Sequence, residues 1–180
     1  MKVTLNEHLE RVNQNSRASQ KEIDTMVKRM QQRFKACGYT KSSKNKSLIY
    51  EYIHMIFKAQ GYRCTHWIRV KEGQLNGVWN RPGKSYNSWK IDHIIYEIDH
   101  VHPINAGGID ELMNYQFLSA NANQFVKCSL TYEDLFKRVD LSRALKNRIK
   151  RVLTKREELF QSDKWKGFIA RLDAVEAQED

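Results

Sequence analysis

With 180 residues, 41% hydrophobic and 29% charged, the chain has material for one core-bearing domain or a small core with helical additions, not for two full domains. No apolar run approaches the roughly 20 residues of a membrane helix, and the opening MKVTLNEHLERVNQNS has no apolar stretch before a cleavage pattern, so no membrane partner and an intracellular location are expected. Formal net charge is +10, unevenly placed: residues 1–60 carry 12 basic and 5 acidic groups, residues 61–130 carry 7 and 6, and residues 131–180 carry 12 and 10.

Residues 19–34 read as an amphipathic helix, with Ser19 and Glu22 as a capping box and Ile23, Met26, Val27, Met30 and Phe34 at helical spacing. Its other face is basic and includes Lys28 and Arg29. A polar connector follows, ACGYTKSSKNKS, bearing Lys41, Lys44 and Lys46. Ser47 is then expected to cap a second helix whose apolar face is Leu48, Ile49, Tyr52, Ile53, Ile56 and Phe57, ending at Gly61.

From Tyr62 the period changes. YRCTHWIRV alternates with β-type residues and predicts a short strand, while the following stretch with Trp79, Tyr86 and Trp89 predicts short strands and loops. The tryptophans are read as core, although aromatics interleaved with Arg63, Arg69, Arg81 and Lys84 also suit stacking on bases. Cys37, Cys64 and Cys128 form no C-x-x-C pair and are read as free thiols. Cys64 and His66 could supply two zinc ligands, but no second pair completes a tetrahedron, so they are read as strand residues on two faces and no structural zinc is expected.

YEIDHVHPINAGG, residues 96–108, ends an apolar, β-branched run with Asp99 beside His100 and breaks at Pro103 and Gly107–Gly108. A short strand is expected in NYQFLS and the start of a helix in ANANQFVKC. Thr131 and Asp134 make a further capping box. A longer helix is marked by Leu141, Ala144, Leu145, Ile149, Val152 and Leu153, and a last one by Trp165, Phe168, Ile169, Leu172 and Val175. The chain thus divides into a basic helical region (1–60), a central core (61–130) and a helical region that is basic and then acidic (131–180). Basic charge on both sides of a nearly neutral middle suits gripping a polyanion, and solvated helix faces would give the same pattern.

The order strand, glycine loop, strand, helix allows Asp99 and Asn123 to face one another and offer a carboxylate and an amide oxygen, hard donors suited to Mg²⁺ or Mn²⁺ rather than zinc. On a regular strand His100 points to the opposite face from Asp99, and a neutral imidazole is a suitable general base. Asp92–His93 repeats the acid–His pair without a glycine loop and is read as an approach strand.

Asp99–His100, Pro103, Gly107–Gly108, Asn114 and Asn123, with Lys127 beyond, resemble the HNH nuclease family, whose core is the ββα-metal finger. The likeness covers residues 97–127. It implies an α+β fold with a small ββα-metal nuclease core between mostly helical flanks, and an endonuclease that hydrolyses double-stranded DNA with one Mg²⁺ or Mn²⁺ ion. By position, Asp99 and Asn123 would hold the metal, His100 would be the base, and Asn114 would bond backbone and hold the loop. Lys127 would meet a phosphate, and His102 is an extra candidate for such a contact. Lys41, Lys44, Lys46, Arg143, Lys146, Lys150 and Arg151 would grip the DNA backbone. The two C-x-x-C pairs of many members are missing, Lys127 stands one residue late, and Asn121 rivals Asn123. Small members include homing, phage-encoded and restriction nucleases, and cutting both strands would call for a homodimer or two successive events. The alternative reading is a non-catalytic DNA-binding protein with a degenerate nuclease fold.

Overall fold

The computed structural model describes residues 17–69, 96–120 and 122–178. The first helix, α1 (Gln20–Ala36), starts where the Ser19 hydroxyl accepts from the Glu22 amide at 3.3 Å, and it buries Ile23, Met26, Val27, Met30 and Phe34 as their spacing predicts. The second, α2 (Lys46–Ala59), is capped by Asn45 and not by Ser47: the Asn45 Oδ1 accepts from the amides of both Ser47 and Leu48. One side-chain carbonyl thereby satisfies two first-turn donors. The apolar face of α2 is buried throughout, and Gly61 leaves the helix at φ +65.

Residues 62–69 form turns instead of the expected strand. Cys64 and His66 are both buried rather than on two faces, because the Cys64 Sγ accepts from the amides of His66 (3.4 Å) and Ser119 (3.2 Å) and curls the chain inward. Trp67 is partly buried on the core, with the Arg63 guanidinium 4.1 Å over its ring. Trp79, Tyr86, Trp89, Asp92–His93 and Asn121 lie outside the described residues.

Strands β1 (Tyr96–His100) and β2 (Tyr115–Ser119) form an antiparallel hairpin in which Tyr96 faces Ser119, Asp99 faces Gln116 and His100 faces Tyr115. The far edge of β2 is closed by a side chain: the Gln60 amide donates to the Phe117 carbonyl at 2.8 Å and accepts from the Phe117 amide at 3.0 Å. Alternation gives the sheet two unlike faces. Tyr96, Ile98, Tyr115 and Phe117 face the helices, where Phe57 meets Tyr96 edge-on and lies 4.4 Å from Phe117. Glu97, Asp99 and Gln116 face the other way, toward the helical segment Ala122–Lys127, whose wide turn is closed by Cys128 N–H to the Asn123 carbonyl at 2.8 Å.

Three helices complete the chain: α3 (Tyr132–Lys137), α4 (Arg143–Gln161) and α5 (Asp163–Glu176), capped by Thr131, Ser142 and Ser162. One apolar cluster runs from Ile23 through Phe57 and Phe117 to Phe168 and Leu172, so residues from all three regions of the chain share a core. A smaller cluster joins Tyr132, Leu135, Leu141 and Ile149, with Val101 alongside. The result is a helix-rich α+β chain with a small two-stranded antiparallel sheet, and among the described residues no helix is long and apolar enough to cross a membrane.

Candidate active site

The loop between the strands is held from inside by one side chain. The Asn114 Oδ1 accepts from the His102 amide at 2.8 Å, and its Nδ2 donates to the carbonyls of His102 and Ile109, each at 2.9 Å. The Gly–Gly pair makes this closure possible for two reasons. Gly107 adopts φ +94, a left-handed backbone, whereas a Cβ at Gly108 would lie 2.0 Å from the His102 carbonyl oxygen. The preceding residues are tied to helices, with Tyr52 Oη donating to Leu112 O and Arg156 Nη2 to Met113 O. His102 itself is exposed, and its Nε2 donates to the Ala106 carbonyl at 2.9 Å, so one ring nitrogen serves the loop.

On the outer face of β1, the Gln116 Nε2 donates to Asp99 Oδ2 at 2.8 Å and the Lys127 ammonium stands 3.6 Å from the same oxygen. Burial pushes the Asp99 carboxyl above its ordinary range against the pull of Lys127, and it pushes the Lys127 ammonium down. Lys127 was expected at a DNA phosphate. Instead its side chain is 0% exposed, its Nζ donates to the His100 carbonyl at 3.2 Å, and it lies 5.2 Å over the Tyr132 ring. The Gln116 amide continues to Tyr132 Oη, which in turn meets His66 Nε2 at 2.9 Å. Burial holds His66 down to about 3, so this polar chain ends in a neutral ring.

Asn123 shares that face. Its Nδ2 donates to Glu97 Oε2 at 2.7 Å, two residues along β1 from Asp99, and Gln124 donates to the other Glu97 oxygen at 2.8 Å. The bonds of Asp99 thus run to its Oδ2, and the bond of Asn123 to Glu97 runs from its Nδ2. A carboxylate and an amide oxygen are hard donors of the kind that Mg²⁺ or Mn²⁺ takes. No group of three or more His, Cys, Asp or Glu residues able to hold a metal occurs among the described residues.

On the inner face, at the loop end of the hairpin, the His100 side chain is 20% exposed and its Nε2 lies 2.8 Å from Asp110 Oδ1. Tyr115 Oη donates to the same carboxylate at 2.7 Å. These bonds, first from His100 and then from Tyr115, hold Asp110 below the ordinary carboxylate range. The Arg33 guanidinium sits 5.7 Å over the Tyr115 ring, which places a cation of α1 beside this cluster.

The proposed DNA contacts fall in separate places. Lys41 is turned to the C-terminal end, its Nζ on the Gln178 carbonyl and its amide on Glu176, whereas Lys44 and Lys46 are exposed at the start of α2. Arg143, Lys150 and Arg151 are exposed on α4, and Lys146 is half-buried there. Arg151 lines a cavity of about 470 Å³ with Trp67, Arg69 and Arg148, and Lys150 lies 5.4 Å over Phe136. Ile149 of α4 belongs to the small apolar cluster against which Val101, the residue after His100, also packs. Of the basic residues on α1, Arg29 donates to the Tyr96 carbonyl at 2.8 Å.

Sequence reasoning did not single out Glu97, Gln116, Asp110 or Tyr132. Glu97 alone carried a readable signal, since residues two apart on a strand share a face. Compared with protein-family models, curated proteins and solved structures, the chain matches none.

Proposed function

We propose that this chain is a metal-dependent endonuclease of the HNH type that hydrolyses phosphodiester bonds in double-stranded DNA, with β1, β2 and the segment Ala122–Lys127 as its ββα-metal core. The observation that carries the reading is the pinning of the loop by Asn114: three backbone bonds from one amide fix the chain immediately after Asp99–His100. A loop held this tightly beside an acid–His pair makes sense where a catalytic ring must be kept in place.

In this proposal Asp99 and Asn123 would hold one Mg²⁺ or Mn²⁺ ion, which when bound would stabilise charge developing on the phosphorane and the leaving oxygen. Gln116 and Glu97 fix the orientation of those two ligands. His100 accepts the proton of the attacking water. The basic residues of α4 and the start of α2 hold the DNA backbone, so binding weakens steeply with salt.

Purified protein is incubated with supercoiled plasmid and Mg²⁺ or Mn²⁺. Nicked or linear product is expected, lost in His100→Ala while DNA affinity is retained. Absence of cutting with either ion across a range of salt defeats the nuclease reading. One observation favours the non-catalytic alternative: the Lys127 ammonium already stands 3.6 Å from Asp99 and supplies positive charge there. DNA binding without cleavage is the outcome that reading requires.

A further inference from the structure

We infer that Asp110 is the positioning residue of His100: it holds the ring through Nε2–H, so that Nδ1 is the nitrogen left to take a proton from water. The inference rests on the nuclease reading above and adds to it a residue and a ring atom.

The geometry carries it. An ionised carboxylate can only accept hydrogen bonds, so the 2.8 Å contact between Asp110 Oδ1 and His100 Nε2 requires the proton on Nε2. In the neutral ring that leaves the lone pair on Nδ1. Asp110 is itself fixed from two sides. Tyr115 Oη donates to the same oxygen at 2.7 Å, and the Tyr115 ring centre lies 5.1 Å from that of His100, so the residue facing His100 across the hairpin supports both partners. The backbone next to Asp110 is anchored where Asn114 Nδ2 bonds the Ile109 carbonyl, directly after the Gly107–Gly108 closure.

The glycine loop and Asn114 therefore have a second product besides a fixed strand end: they bring an acid ten residues from His100 back onto its ring. The arrangement is the base–orienter pair of general acid–base catalysis, in which the orienter sets tautomer and direction without touching substrate. Its carboxylate is 39% exposed, so its contribution is smaller than that of a buried acid.

Two measurements test it. Long-range ¹H–¹⁵N spectra of the imidazoles, with the His100 signals assigned from His100→Ala, are expected to show the Nε2–H tautomer in the unmodified chain at alkaline pH and a mixture of tautomers in Asp110→Ala. An Nδ1–H tautomer in the unmodified chain, or an unchanged tautomer in Asp110→Ala, overturns the inference whatever the cleavage assay shows. In cleavage, Asp110→Ala is expected to lower kcat about tenfold with KM and DNA affinity unchanged, a fraction of what a general base contributes. Asp110→Asn keeps an acceptor in the same shape and is expected to recover part of that rate. Full kcat in Asp110→Ala overturns the positioning role. If the unmodified chain does not cut, the nuclease reading falls and the catalytic part of this inference falls with it, while the spectra still decide the contact itself.

Discussion

Asn123 is held by Glu97: the amide nitrogen donates to Glu97 Oε2 at 2.7 Å, which turns the Asn123 oxygen away from that carboxylate. In the proposed metal centre Glu97 therefore acts on the ion through its ligand. Glu97→Ala is expected to raise the Mg²⁺ concentration for half-maximal cleavage about tenfold, the scale typical of lost outer-sphere partners. Glu97→Gln, whose amide oxygen can still accept from Asn123, should stay close to the unmodified chain. An unchanged Mg²⁺ dependence in Glu97→Ala would remove Asn123 from the metal.

Asn114→Ala leaves the His102 amide and the carbonyls of His102 and Ile109 without their partner. Losing these bonds costs about 2–3 kcal/mol, which for a chain of this size lowers Tm by about 8 °C. Asn114→Asp is not expected to rescue it, because a carboxylate would face two carbonyl oxygens that now need donors. Calorimetry on both variants checks this, and a Tm within a degree of the unmodified value would show that the loop closes without the side chain.

What was legible in the sequence was local or carried by order. The stripe from Ile23 to Phe34 follows from helical period alone, and the run from Asp99–His100 to Gly108 marks a strand end and a glycine loop, whereas the backbone bonds of Asn114 follow only from the resemblance to the HNH family. Residues 62–69 alternate as a strand would but form turns, and the free edge of β2 is taken by the Gln60 side chain and the Cys64 thiol. Asn45 and Ser47 both fit a cap by type, and only the backbone geometry decides for Asn45. Asp110, Gln116 and Tyr132 become neighbours of His100 and Asp99 through hairpin register and loop closure, which no spacing rule exposes. The burial of Lys127 has the same origin: the side chain runs beneath β1 toward Tyr132, where its stem is covered and its ammonium still finds Asp99.

The two loop glycines should respond differently to alanine. At Gly107 a Cβ meets nothing within 4 Å and the penalty is the left-handed backbone alone, about 1 kcal/mol. At Gly108 the Cβ would lie 2.0 Å from His102 O and 2.9 Å from Pro103 O, both backbone atoms, so the loop must open. Gly107→Ala is expected to lower Tm by about 3 °C and to keep most activity. Gly108→Ala should lower Tm further and lose activity, since opening the loop moves Asp110 away from His100. Equal effects in thermal melts and cleavage assays would contradict this account of the pair.

The buried His66 makes the fold acid-labile. It is 2% exposed, with Nε2 2.9 Å from Tyr132 Oη. Burial, aided by Lys127 and Arg148, lowers it from its ordinary 6.5 to about 3. Between those values the unfolded chain binds a proton at this position and the folded chain does not, so falling pH favours unfolding. The stability is complete above 6.5 and declines toward 3 at about 1.4 kcal/mol per pH unit for the one proton. Asp99 acts in the opposite sense: its raised folded value means the folded chain takes up a proton first as pH falls from that value toward 3.8, which offsets part of the loss there. His66→Gln isolates the histidine, since its amide can still meet Tyr132 but takes up no proton. Denaturant midpoints at pH 7.5 and 5.0 are expected to differ less in His66→Gln than in the unmodified chain; equal differences in both would mean that His66 titrates normally and is open to water.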